Sequence, residues 1–205
     1  MVNVEMKVLW LTLLSLIMST LVAAEPLEQT TDKKVHWLDD FKRDEMLFSF
    51  EGYRLLRYRS PTPEAHEDVP TLTTNALQAL LARSKKPVLL NVQPLRWSQG
   101  LFLESEPFYH IAGSRWIPNV GMGELTDGWQ DYFDYHLKAA TKDKPDYPVV
   151  IYCRADCWMS WNAVKRAARQ GYTRLYWYKN GVDGWQEAGL PLVRATPEPY
   201  PVRNR

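Results

Sequence analysis

Pro148-Val149-Val150-Ile151-Tyr152-Cys153-Arg154-Ala155-Asp156-Cys157-Trp158 is the stretch that decides the fold. Residues 148–152 form a short, continuous apolar run, the signature of a strand covered on both faces. A cysteine follows at once, then a polar loop, and from Ser160 the spacing predicts a helix over residues 160–170 that stops at Gly171, a natural residue for a left-handed helix end. Cys153 and Cys157 are the chain's 2 cysteines. A thiol at a strand-to-helix hinge meets loop N–H groups and the positive end of a helix dipole, which favour an anion and hence a reactive thiolate.

Outward from this unit the same alternation repeats. Pro87-Val88-Leu89-Leu90-Asn91-Val92 is a second continuous run of strand length. Ahead of it, Thr73 or Thr74 caps a helix whose leucines recur at helical spacing through Ala76–Arg83. His110–Ser114 leads to a short strand ending at Pro118, and residues 128–138 form an aromatic-rich helix. Leu175-Tyr176-Trp177-Tyr178 is a further strand, with a turn at Asn180-Gly181. Strands alternating with helices at this pace predict an α/β fold with a central parallel sheet flanked by helices.

The ends have other roles. Lys7, an apolar run from Val8 to Val22 and the small residues Ala23-Ala24 follow the order of a secretory signal peptide, residues 1–24. The run is short for a full span, so cleavage after Ala24 is expected to leave roughly 180 residues with no membrane attachment. Residues 25–72 form an N-terminal extension, 73–194 the main domain, and 195–205 a tail kept irregular by Pro197, Pro199 and Pro201. A formal net charge of +1 gives no field for nucleic acid. In an oxidising compartment a nearby cysteine pair is oxidised unless something reduces it.

Several of these segments match a known pattern. His110-Ile111-Ala112-Gly113-Ser114, the strand–cysteine–loop–helix unit, Gly181-Val182-Asp183-Gly184-Trp185 and Gly189-Leu190-Pro191-Leu192 resemble the rhodanese family over roughly residues 73–192. A closer match adds Tyr58-Arg59-Ser60-Pro61-Thr62-Pro63 and Cys153–Ala163, which are similar to the "PQQ-dependent catabolism-associated CXXCW motif protein" family, here with three residues between the cysteines. The resemblance implies a rhodanese-like fold and a Cys153 that accepts a sulfane sulfur as a persulfide and passes it on. It also implies periplasmic localisation and support of PQQ-dependent alcohol catabolism. The partner would be a quinoprotein dehydrogenase, a cytochrome or a transport component, with no cofactor bound by this chain. Two departures stand out. Aligning Ser160 with the serine that usually opens the family's helix makes this loop one residue longer than the usual sulfurtransferase loop, as in phosphatase and arsenate-reductase relatives whose anion-binding arginine would align near Met159. Asn91 replaces the family's usual first-strand aspartate.

The residues themselves leave alternatives open. Cys153 and Cys157 can be an attacking and resolving couple, a sulfur-transfer cysteine with an auxiliary, or a static staple. An inactive binding module presenting Trp158 to a partner is the contrasting function. Arg154 favours a Cys153 thiolate and Asp156 opposes it. Arg154, Ala155, Asp156, Trp158, Met159 and Ser160 make the loop and rim of the site, with His110, Asn91 and Asn162 as possible accessories. His110 serves either as a base or, more simply, as a turn into a buried strand. Asn162 orients the loop through backbone bonds, Trp161 packs, and Gly181 and Gly184 serve turns. Trp158 stands where covalent haem attachment needs histidine, and zinc lacks ligands, so no metal is expected. A Cu(I) site from both thiolates and Met159 is chemically conceivable.

Overall fold

A computed structural model describes residues 47–200. The signal-like segment, the start of the extension and residues 201–205 lie outside the described residues.

Among the described residues nine strands and four helices follow one another as β1 (Thr71–Leu72), α1 (Thr74–Leu81), β2 (Val88–Asn91), β3 (Arg96–Ser98), β4 (Leu101–Leu103), β5 (Tyr109–Ile111), β6 (Ser114–Trp116), α2 (Asp127–Thr141), β7 (Val149–Tyr152), α3 (Trp158–Arg169), β8 (Leu175–Tyr178), α4 (Gly181–Glu187) and β9 (Leu192–Arg194). Five of them form one parallel sheet in the order β1-β8-β7-β2-β6. The strand that carries Cys153 is therefore central, as its apolar run requires, and β2 lies beside it with Leu90 opposite Ile151 and Asn91 opposite Tyr152. Thr71–Leu72, at the end of the extension, supplies the edge strand.

The two-residue period of the strands divides the core. Leu90, Ile151 and Trp177 face α2 and α3, meeting Tyr132, Phe133, Trp161 and Val164. Leu89, Val150, Tyr152 and Tyr178 face α1 and α4, meeting Leu77, Leu80, Val182 and Trp185. Each fully buried leucine or isoleucine contributes roughly 1.5–3 kcal/mol by leaving water. Thr73 caps α1, its side chain accepting the Ala76 N–H at 3.2 Å. A hairpin joins β3 to β4 through Gln99 and Gly100, both at positive φ, and sets Trp97 edge-on against Phe102. The described part of the tail, residues 195–200, is irregular yet docked: Glu198 N–H donates to Trp116 O at 2.7 Å, and its carboxylate pairs with Arg115.

The extension is bound to α3. Asn162, wholly buried, accepts the Arg54 N–H at 2.9 Å and donates to Arg54 O at 2.8 Å and Gly121 O at 2.9 Å. Further along, His66 stacks on Trp161 with ring centroids 4.1 Å apart, its Nε2 facing Trp161 O at 3.2 Å and its Nδ1 accepting the Asp68 N–H. Burial first, opposed by the Trp161 carbonyl, lowers the His66 pKa from 6.5 to about 4. Between these values the unfolded chain binds a proton that the folded one refuses. The contribution is complete above pH 6.5 and is lost as pH falls towards 4, a loss of about 3 kcal/mol. Denaturant unfolding across this range is expected to show a fall that His66→Gln largely removes; an unchanged slope in the variant would assign the loss elsewhere.

Candidate active site

The site is the turn from β7 into α3. Cys153 continues β7 into the core, and its side chain is covered on the α2–α3 side of the sheet. It forms a disulfide with Cys157 across a Cα–Cα distance of 6.2 Å, within the ordinary range. The cysteines are 0% and 2% exposed, so neither sulfur is open to solvent in this state. Asp156, at φ +50°, makes the tight reversal between them.

Two neighbouring segments hold the loop. From α4, Asp183 receives the Arg154 guanidinium at 3.2 Å on one carboxylate oxygen and the Ala155 N–H at 3.1 Å on the other. Val182 N–H donates to Cys153 O at 3.1 Å. Gly181 makes this approach possible: it sits at φ +54°, and a Cβ there would collide with the Cys153 carbonyl and lie 2.7 Å from Arg154 Cα. From the extension, Tyr58 O accepts the Trp158 N–H at 2.9 Å, and Arg59 lies in an antiparallel bridge opposite Cys157. Two loop amides are thus already committed to protein acceptors. Beside the loop on the α4 side lies a cleft of about 380 Å³, bounded by Gln93, Phe108, Tyr109, Arg154, Asp183 and Leu192. Neither cysteine lines it.

A rhodanese-like domain model matches residues 73–188, more than half of the chain. The chain belongs to the rhodanese-like family. Its curated relatives include the thiosulfate sulfurtransferase GlpE of Actinobacillus pleuropneumoniae, 38% identical over 55 residues, which are 26% of this chain and 50% of that protein. The chain thus spans about half the length of the curated relatives it matches. Among solved structures, a thiosulfate sulfurtransferase from Pseudomonas aeruginosa superposes with a TM-score of 0.46 at 18% identity, over 65% of this chain and 22% of the other. The polysulfide-sulfur transferase of Wolinella succinogenes gives 0.42 at 20% identity, over 62% and 79%.

Within this rhodanese-like domain the candidate site residues separate into groups. Arg154, Ala155 and Asp156 form the accessible loop. Trp158, Met159 and Ser160 do not form a rim: α3 begins at Trp158, two residues before the sequence places it, and all three are buried. Trp158 packs edge-on against Phe48 and under the Arg54 guanidinium, a non-local partner pair that draws it inwards. Ser160 bonds to Cys157 O at 3.0 Å and to the Trp177 indole at 2.9 Å. Gly181 and Gly184 belong to α4 rather than to a free turn, because the close approach to Cys153 needs a helix end there. Asn91 is buried at the end of β2, its Oδ1 accepting the Gln93 N–H, its Nδ2 without a protein partner. His110 is buried in β5 with Nδ1 unpartnered, and burial lowers its pKa.

Asp183 and Arg59 were not evident as site residues. Asp183 is signalled only as the one carboxylate within Gly181–Trp185, and Arg59 only by lying in the motif that ends at Pro63. Among the described residues no group of three or more His, Cys, Asp or Glu is placed to hold a metal ion. No described helix is long and apolar enough to cross a membrane.

Proposed function

We propose that this rhodanese-like protein handles sulfane sulfur or thiol equivalents at Cys153 after its disulfide to Cys157 is opened. The observation that carries the reading is the disulfide at the C-terminal end of the central strand, beside an accessible arginine and a cleft. The family and its sulfurtransferase relatives support this choice of chemistry. In the reduced protein the Cys153 thiolate attacks the outer sulfur of a donor such as thiosulfate. The donor S–S bond breaks, sulfite leaves and a Cys153 persulfide remains. Cys157 then attacks Cys153 Sγ, releases hydrosulfide and restores the disulfide.

The finer reading follows the resemblance of Tyr58–Pro63 and Cys153–Ala163. The protein is exported to the periplasm, serves PQQ-dependent alcohol catabolism and acts on a quinoprotein dehydrogenase, cytochrome or transport component, binding no cofactor of its own. Cyanolysis tests the chemistry. Protein reduced with a dithiol, freed of reductant and exposed to thiosulfate with cyanide should yield thiocyanate, whereas the oxidised protein should yield none. The burial of both sulfurs favours a second reading, a binding module with a permanent staple. Absence of thiocyanate from the reduced protein would select it.

A further inference from the structure

Residues 58–62 of the extension cross the outer side of the cysteine loop. Trp158 N–H donates to Tyr58 O at 2.9 Å and Ser60 N–H to Asp156 O at 3.1 Å, with Arg59 opposite Cys157. Thr62 N–H reaches Asp156 Oδ1 at 3.4 Å, and the Trp158 indole donates to Pro61 O at 3.2 Å. The Arg59 guanidinium donates to Ala155 O and pairs with Asp183 at 3.7 Å.

On one side the backbone is tied to buried Asn162 through Arg54; on the other, His66 is packed against Trp161. Between these anchors Tyr58 packs against the core and accepts the Gly123 N–H at 2.9 Å, and Thr62 is buried; the stretch from Arg59 to Pro61 exposes the Arg59 and Pro61 side chains and is fastened by hydrogen bonds and one half-exposed ion pair. Arg57, just before the segment, stands at φ +51°, a left-handed conformation that a non-glycine residue adopts at a cost. A segment anchored by burial at both ends and held by surface bonds in the middle can open locally without unfolding the domain.

We propose that residues 59–61 are a strap that gates reduction of the Cys153–Cys157 disulfide. Closed, the strap covers Cys157. Lifted, it exposes Cys157 Sγ to a dithiol: one thiolate attacks that sulfur, the S–S bond breaks and Cys153 leaves as a thiolate. The second thiol of the reductant then displaces Cys157 as a thiolate and becomes a cyclic disulfide, having supplied two electrons. The strap regulates the site of the proposed reaction and takes its purpose from that reading, but its test needs no sulfur transfer.

The test is the rate at which dithiothreitol reduces the oxidised full-length protein, followed by quenching with a maleimide–polyethylene glycol and counting shifted bands. Arg59→Ala removes the guanidinium's contacts with Ala155 and Asp183 and should raise the rate about tenfold with little change in melting temperature. Leu77→Ala empties a core position on the opposite face of the sheet; it should lower the melting temperature and leave the rate near that of the parent. Equal rates for Arg59→Ala and the parent would overturn the gate. So would acceleration by Leu77→Ala matching that by Arg59→Ala, since reduction would then proceed through global unfolding. Acceleration by Arg59→Ala alone, alongside failed cyanolysis, keeps the strap and removes the sulfur-transfer reading.

Discussion

Cys157→Ser is expected to trap the sulfur that the parent protein releases. After dithiol reduction, removal of the reductant and exposure to thiosulfate, the parent should yield hydrosulfide and return to the disulfide, because the cysteine Cα atoms lie 6.2 Å apart in the closed pair. With Cys157 replaced, the resolving attack has no nucleophile. The Cys153 persulfide should then persist, visible by mass spectrometry as one added sulfur atom and discharged by cyanide. Cys153→Ser should show neither added sulfur nor thiocyanate. The difference is all or none because each variant removes one bond-forming atom rather than an environment. Persulfide on the Cys153→Ser variant, and none on Cys157→Ser, would reverse the two roles.

Asn162→Ala should be the most damaging single substitution away from the sulfur pair, costing about 4 kcal/mol. The side chain is wholly buried and bonds the Arg54 N–H, Arg54 O and Gly121 O. Alanine would leave one buried donor and two buried acceptors without that partner, each costing about 1–3 kcal/mol where water cannot replace it. Asn162→Asp should fare no better at neutral pH: its carboxylate can accept from Arg54 N–H but faces two carbonyl oxygens. Urea unfolding reads both. A loss under about 1 kcal/mol for the alanine variant would mean that the freed groups find other partners.

The sheet was readable because its strands announce themselves locally. Residues 148–152 and 87–92 are continuous apolar runs, and they form adjacent interior strands. The β3–β4 hairpin has a weaker local signal, Gln99-Gly100 between Trp97 and Leu101. The site was harder to read where its order comes from afar. Local sequence places α3 from Ser160, since Cys157 gives no side-chain cap; Trp158 joins the helix and core through Phe48 and Arg54, about a hundred positions away. Asp183 acts on Ala155 and Arg154 from another helix, and the strap pairs with the loop across a comparable separation. Asn162's role in orienting backbone was visible in its residue type, but its partners were not.

The two cysteines are only 4 positions apart in sequence, so their bond closes a very short ring. On the chain-entropy account such a ring restrains the unfolded state by about 2 kcal/mol, against nearly 5 for a loop of about a hundred residues. The parallel sheet and its two aromatic-rich cores do not depend on it for connectivity. Opening the bond can therefore be a change of chemical state rather than of architecture: a folded protein can pass repeatedly between dithiol and disulfide, like a battery whose casing is not part of its charge.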